Sequence, residues 1–257
     1  MIRFCLLGSG SSGNAVLVTT RDSKVLIDNG LSFRKLQANA AEVGEALDDV
    51  QAVFVTHEHS DHVSGVGILA RKLDVPVYMT RDTFEALPPH IGRIPQARFF
   101  EAGEDTILGD LTVGSFSISH DAADPVSYVV ESRGAKLGIA ADLGHPSELV
   151  RRRLAGSHGL ILESNYCPDM LRRGSYPPMI QQRIRGRQGH LSNADMCSLL
   201  AHIMHDHLHV VVLVHISEEN NTHDLALQMA EGVVKRRPVR LFTAAQNRPT
   251  PVFELSP

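Results

Sequence analysis

The run Thr56-His57-Glu58-His59-Ser60-Asp61-His62 places three imidazoles and two carboxylates within six positions, His57 to His62. Borderline nitrogen donors beside a hard oxygen donor suit zinc, iron or manganese. A lone histidine is more often a surface or satisfied core residue, but a cluster of this density reverses that balance. His57 and His59 can point one way while Asp61 and His62 serve a second ion. A loop this short cannot close two coordination spheres, so further ligands are required at the ends of later strands. Three candidates stand there: His120, Asp142 and His215. Seven candidates exceed one closed tetrahedral site and suit two divalent ions sharing a bridge. Two such ions lower the pKa of a shared hydroxide nucleophile and neutralise charge on an attacked phosphoryl or acyl group. No serine or cysteine nucleophile is then needed.

These residues have to be carried on strands. Apolar runs bounded by turn residues predict strands over 2–7, 15–19, 24–27, 51–55 and 75–78, with helix formers over 32–44 and a helix over 63–73 closed by Asp74. The histidine run is therefore a strand-to-helix loop. Short β-rich runs over 97–100, 111–118, 126–130 and 136–140, separated by Gly, Asp and Pro, imply a second sheet. Helices over 147–154, 194–205 and 222–235 then alternate with strands over 159–162, 210–214 and 239–243, a tail expected to complete that second sheet. Periodicity supports an α/β chain with a β-rich middle. Two mixed sheets with helices outside make a four-layer αββα sandwich.

Other segments suit an anionic substrate. Gly8-Ser9-Gly10-Ser11-Ser12-Gly13 satisfies G-x-G-x-x-G literally, but the strand-like Ala15-Val16-Leu17-Val18-Thr19 follows where a dinucleotide fingerprint requires a helix. Either this is a tight hairpin loop, or its small residues, with Ser11 and Asn14, approach substrate phosphates. Between Leu171 and His190 there are five arginines and no acid; Arg183, Arg185 and Arg187 are the candidates for a nucleic-acid backbone, against the plainer reading of a solvated basic face. His190 precedes a helix whose capping box is Ser192 with Asp195, so free N–H groups at that helix start are expected to point back toward His190. An imidazole there would grip the scissile phosphate or protonate the leaving oxygen, the alternative being packing in the turn.

H-x-H-x-D-H followed by separated His, Asp and His is the signature of the metallo-β-lactamase superfamily, and the resemblance covers essentially the whole chain. It implies the superfamily's αββα sandwich. It also implies that His57, His59 and His120 bind one ion, that Asp61, His62 and His215 bind the other, and that Asp142 bridges them. His59 stands where the oxygen-reducing diiron branch usually has an acid, which implies hydrolysis. Five further segments, Leu7 to Ala15, Leu26-Ile27-Asp28-Asn29-Gly30-Leu31, His120 to Val126, Gly189-His190-Leu191-Ser192-Asn193 and His215 to Thr222, resemble the YycJ/WalJ branch. That branch is regarded as DNA 5′-to-3′ exonucleases linked to repair, which implies DNA as partner and a catalytic role for Asp61. Tyr166 stands where family members often have histidine, whereas Asn165 is retained as a substrate-binding candidate. A phosphodiesterase for a small cyclic or nucleotide-like substrate needs the same metals without the arginine segment. A metal-binding scaffold without catalysis would be expected to have lost ligands.

Composition narrows the setting. A chain of 257 residues, 43% apolar and 21% charged, fits one domain spanning 1–257. The net charge of −4 makes no global case for nucleic acid, leaving that to local patches. Three cysteines, Cys5, Cys167 and Cys197, are widely spaced and odd in number, which fits a reducing cytoplasm rather than a disulfide framework. No apolar run approaches a membrane span, and the five-residue apolar stretch near Met1 is too short for a signal peptide.

Overall fold

The computed structural model describes residues 1–257 apart from Arg236 and Asn247. The first half forms strands β1 (Ile2–Gly8), β2 (Ala15–Thr19), β3 (Lys24–Ile27), β4 (Ala52–Phe54), β5 (Val77–Met79) and β6 (Ala97–Phe99), with helices α1 (Phe33–Glu42), α2 (Ser60–Val63), α3 (Val66–Leu73) and α4 (Arg81–Glu85) between them. The second half forms β7 (Asp105–Leu108), β8 (Leu111–Ser117), β9 (Val126–Ser132), β10 (Ala135–Ala140), β11 (Gly159–Glu163), β12 (Val210–Val214), β13 (Arg240–Thr243) and β14 (Phe253–Leu255). Its helices are α5 (Glu148–Leu154), α6 (Pro168–Arg173), α7 (Pro178–Arg185), α8 (Asn193–Ile203) and α9 (His223–Val234).

One sheet runs β14-β1-β2-β3-β4-β5-β6 and the other β13-β12-β11-β10-β9-β8-β7. Each is mixed: β1 to β3 and β7 to β10 pair antiparallel, while β3 to β6 and β10 to β13 pair parallel. Strand alternation divides the apolar side chains among three interfaces. Phe4 and Leu6 of β1 meet Val212 and Val214 of β12 between the sheets. Cys5 and Leu7 face Leu36 of α1 and Leu69 of α3 on one outer side. On the other, Val211 and Leu213 pack with Leu154 of α5, Leu200 of α8 and Ala226 of α9. Helix, sheet, sheet, helix is the expected four-layer αββα sandwich. No helix among the described residues is long and apolar enough to cross a membrane.

The structure adds to these expectations and corrects some of them. The tail completes the second sheet through β11, β12 and β13 as expected, but β14, which was not foreseen, crosses over and pairs antiparallel with β1 through Ile2↔Leu255 and Phe4↔Phe253. The helix expected over 63–73 is two pieces, interrupted where the Gly65 N–H donates to the Asn29 carbonyl at 2.9 Å. Its first piece starts at Ser60, so Asp61 and His62 sit on a helical turn rather than in a loop. Finally, β7, α4, α6 and α7 were not foreseen.

Candidate metal centre

The carboxyl ends of parallel strands supply most of the centre, where a crevice opens in an α/β sheet. β4 leads into His57, β10 into Asp142, β11 ends on Glu163 and β12 leads into His215, while the antiparallel β8 brings His120. Asp28, Asp142 and His215 have left-handed backbones, with φ of 59°, 51° and 54°. Such conformations are disfavoured for residues with a Cβ and mark places where the surroundings fix the side-chain direction. Gly30 lets the histidine run approach: a Cβ there would lie 1.8 Å from the Asp61 carbonyl oxygen.

The first group is His57, His59 and His120. His57 Nε2 and His120 Nε2 lie 3.1 and 3.2 Å from His59 Nδ1. Hydrogen bonds behind the rings decide which nitrogens are bare. Thr56 Oγ1 donates to Asp28 Oδ2 at 2.8 Å, so its lone pair accepts from His57 Nδ1 at 3.0 Å. His120 Nδ1 faces the Gly189 carbonyl at 3.1 Å and must donate to it. Each neutral ring therefore presents an unprotonated Nε2 inward. Burial, followed by the neighbouring His62, holds His57 well below the ordinary histidine range, and burial also lowers His120.

The second group is Asp61, His62 and His215. Asp61 Oδ2 lies 3.5 Å from His62 Nε2 and 3.3 Å from His215 Nε2. His62 Nδ1 donates to Asp28 Oδ2 at 2.7 Å, which turns Nε2 toward the group. Asp142 lies between, with Oδ2 2.8 Å from His62 Nε2 and Oδ1 3.4 Å from His215 Nε2. Burial would raise the Asp142 carboxyl, but His215 and His62 hold it well below the usual carboxylate range. Burial would likewise lower His215, yet Asp142 and Asp61 push it up to about 9.

These residues fit divalent cations. Ligands bonded at about 2.0–2.1 Å in a tetrahedron lie about 3.4 Å apart, close to the spacing of the three nitrogens in the first group. Asp142 Oδ2 is buried and makes no hydrogen bond despite its nearness to His62, an orphaned oxygen of the kind a cation satisfies. A fourth grouping, Asp142, Glu163, His190 and His215, has the spacing of a metal cage but is committed otherwise. Glu163 Oε1 is 2.7 Å from His190 Nδ1, and Oε2 accepts from the Leu143 and Leu191 N–H groups at 2.6 and 3.2 Å. Burial would lower His190, but Glu163 raises it.

A cleft of about 430 Å³ opens above, lined by Ser11, His59, Ser60, Asp61, His120, Asp142, Arg183, His190 and His215 among others. All seven ligand candidates thus converge, joined by Ser11, Arg183 and His190. Others are placed differently from the expectation. Asn14 turns to the ligands, with Nδ2 3.1 Å from Asp61 Oδ2, and Asn165 Nδ2 donates to the His215 carbonyl at 2.7 Å. Arg185 and Arg187 are exposed and do not line the cleft. The α8 start is not free either: Asn193 N–H donates to the Tyr166 carbonyl and Asp195 N–H to Ser192 Oγ, so His190 answers to Glu163 instead. Tyr166 is buried and outside the cleft. Glu58 turns away, accepting from the Ala123 N–H at 2.8 Å. Sequence reasoning assigned no role to Asp28, Thr56 or Glu163. Asp28 and Glu163 carry the signal that singled out Asp142, an acid at the end of an apolar strand.

Comparison with known proteins agrees with this geometry. Residues 23–216 match the family model described as the beta-lactamase superfamily domain. The chain is 37% identical over 238 residues to exodeoxyribonuclease YycJ of Bacillus anthracis, covering 92% of this chain and 90% of that protein. It is 35% identical to exodeoxyribonuclease WalJ of Streptococcus pneumoniae, covering 87% and 85%. The metallo-beta-lactamase fold protein YhfI of Bacillus subtilis superposes with a TM-score of 0.73 at 16% identity, covering 99% of this chain and 100% of that one. With the sandwich, the ligand-forming clusters and these relatives in agreement, the chain belongs to the metallo-β-lactamase superfamily, in its YycJ/WalJ branch, and is a metal-dependent hydrolase.

Proposed function

We propose that residues 1–257 act as one domain, a cytoplasmic dinuclear phosphodiesterase that digests DNA as a 5′-to-3′ exonuclease, with zinc, manganese or iron as its ions. The observation that carries this reading is the pair of three-ligand groups with Asp142 between them at the floor of an open cleft. His57, His59 and His120 would hold one ion, Asp61, His62 and His215 the other, and Asp142 both. When bound, such ions polarise phosphoryl oxygens and lower the pKa of water toward neutrality. The chain's own residues do the rest. Asp28 and Thr56 keep protons on the outer nitrogens of His62 and His57. Glu163 keeps a proton on His190 Nδ1, so the other ring nitrogen serves the cleft that His190 lines, steadying the phosphate or delivering a proton to the leaving oxygen. Arg183 and Ser11 offer donors at the rim. The substrate assignment is supported by the exodeoxyribonuclease relatives.

The test is digestion of end-labelled DNA, RNA and a small cyclic phosphodiester by metal-loaded protein, read by product length. Mononucleotides released stepwise from the 5′ end of DNA are expected. Preference for RNA or for the cyclic ester would replace the substrate assignment. His190→Ala should keep both metals and lose most activity; a lost metal equivalent would make His190 a ligand.

A further inference from the structure

Residues 174–189 form an arm whose helix α7 is largely exposed. None of the residues of α7 is buried, and Met179 and Ile180 are 79% and 38% exposed. The far end is tied to the metal centre through its backbone. Ser119 Oγ donates to the Arg187 carbonyl at 2.7 Å, His120 Nδ1 to the Gly189 carbonyl at 3.1 Å, and the His190 N–H to the Ile184 carbonyl at 2.9 Å. Only glycine fits at 189, where a Cβ would lie 2.2 Å from the Ile184 oxygen.

Among the described residues, one α7 side chain makes a hydrogen bond back to the body of the protein. Arg183 Nε donates to Asp121 Oδ2 at 2.6 Å, while Asp121 Oδ1 lies 3.5 Å from His120 Nε2. The Asp121 carboxylate thus stands between a metal-facing nitrogen and the guanidinium. Arg183 is 62% exposed, and an ion pair that open contributes only about 0–1 kcal/mol to stability, so stability does not account for it. Its geometric effect is larger. With Nε committed, both terminal amino groups of Arg183 remain without a hydrogen bond among the described residues, and that pair matches two phosphate oxygens.

Resting on the nuclease reading above, we propose that Asp121 is a positioning residue that holds the Arg183 guanidinium beside the metal centre to receive the phosphate next to the scissile one. The cleft then selects a strand with consecutive phosphates over an isolated phosphodiester.

The experiment compares Asp121→Asn, Arg183→Gln and the double variant, metal-loaded, on a short oligodeoxynucleotide and on bis(p-nitrophenyl) phosphate, with oligonucleotide affinity measured against salt. Arg183→Gln should raise the oligonucleotide KM about tenfold, equivalent to about 1.4 kcal/mol, and lower the salt slope by about one. Asp121→Asn should raise that KM several-fold and add nothing once Arg183 is gone. Both losses should be smaller on the isolated ester. Asp121→Glu, which keeps the charge but moves it by one methylene, is the second variant and should depend on Arg183 in the same way. Equal effects of Asp121→Asn with and without Arg183, equal losses on both substrates, or tighter binding by Asp121→Asn would each overturn the proposal. Wild-type protein that cleaves the ester but no oligonucleotide would instead sink the nuclease reading.

Discussion

Asp28→Asn tests how the centre is tuned from behind. Asp28 Oδ1 accepts from the Thr56 N–H at 2.8 Å, and Oδ2 accepts from both Thr56 Oγ1 and His62 Nδ1, at 2.8 and 2.7 Å. Asp28 is 4% exposed, so water does not repair a mismatch. An amide keeps one acceptor and replaces the other with a donor. If its NH2 faces Thr56 Oγ1 and His62, three donors meet; His62 escapes only by moving its proton to Nε2, the nitrogen that faces Asp61 and Asp142. If it faces the backbone, the Thr56 N–H is left unpaired. Losing a carboxylate behind a ligand histidine costs about 10- to 100-fold in metal affinity, or about 1.4–2.7 kcal/mol. An unsatisfied buried donor adds about 1–3 kcal/mol of lost stability. The assay is competition with a chromophoric chelator, resolving two binding steps, beside thermal unfolding. Asp28→Asn should weaken the ion at His62 within that range. Thr56→Val removes the acceptor for His57 Nδ1 and should weaken the other ion. Unchanged affinities with only a lowered melting temperature would refute the reasoning.

Asp61→Ala should abolish hydrolysis with little loss of folding, because Asp61 is a proposed ligand on a partly exposed turn; activity assays beside thermal unfolding check it. Glu163→Gln should retain both metals and lower kcat by about 100-fold, the ordinary worth of a positioned general acid; metal analysis with kcat measured against pH reads the outcome. Burial, reinforced by Glu45, pushes the Cys5 thiol up to about 12, so it is protonated at neutral pH. Thiol titration of native protein should therefore miss Cys5 and recover it only after denaturation.

The parts legible in the sequence were those with a strong local signature. Val210-Val211-Val212-Leu213-Val214 reads as a buried parallel strand because every residue is apolar, and all five are buried. The candidate ligands were legible because His57, His120, Asp142 and His215 each follow a strand, while His59, Asp61 and His62 share one dense motif with His57. What escaped was set by distant partners. β14 is three residues long and forms only by pairing with β1, at the opposite end of the chain. α7 is short and buries none of its residues, so its Ile180 and Ile184, one turn apart, do not mark a core-facing helix, and its far end is held by backbone hydrogen bonds instead. Arg183 was indistinguishable from Arg185 and Arg187 by type, and its pairing with Asp121 is what separates it. Asp28 and Glu163 look like ordinary strand-ending acids until the rings of His62 and His190 are seen against them.

The most direct measurement is cleavage of a 5′-labelled oligodeoxynucleotide as metal-free protein is titrated with one metal, with bound equivalents counted in the same samples. The account predicts activity that rises with occupancy, reaches its plateau at two equivalents per chain and releases mononucleotides from the 5′ end. A plateau at one equivalent, or no cleavage with two ions bound, would contradict it.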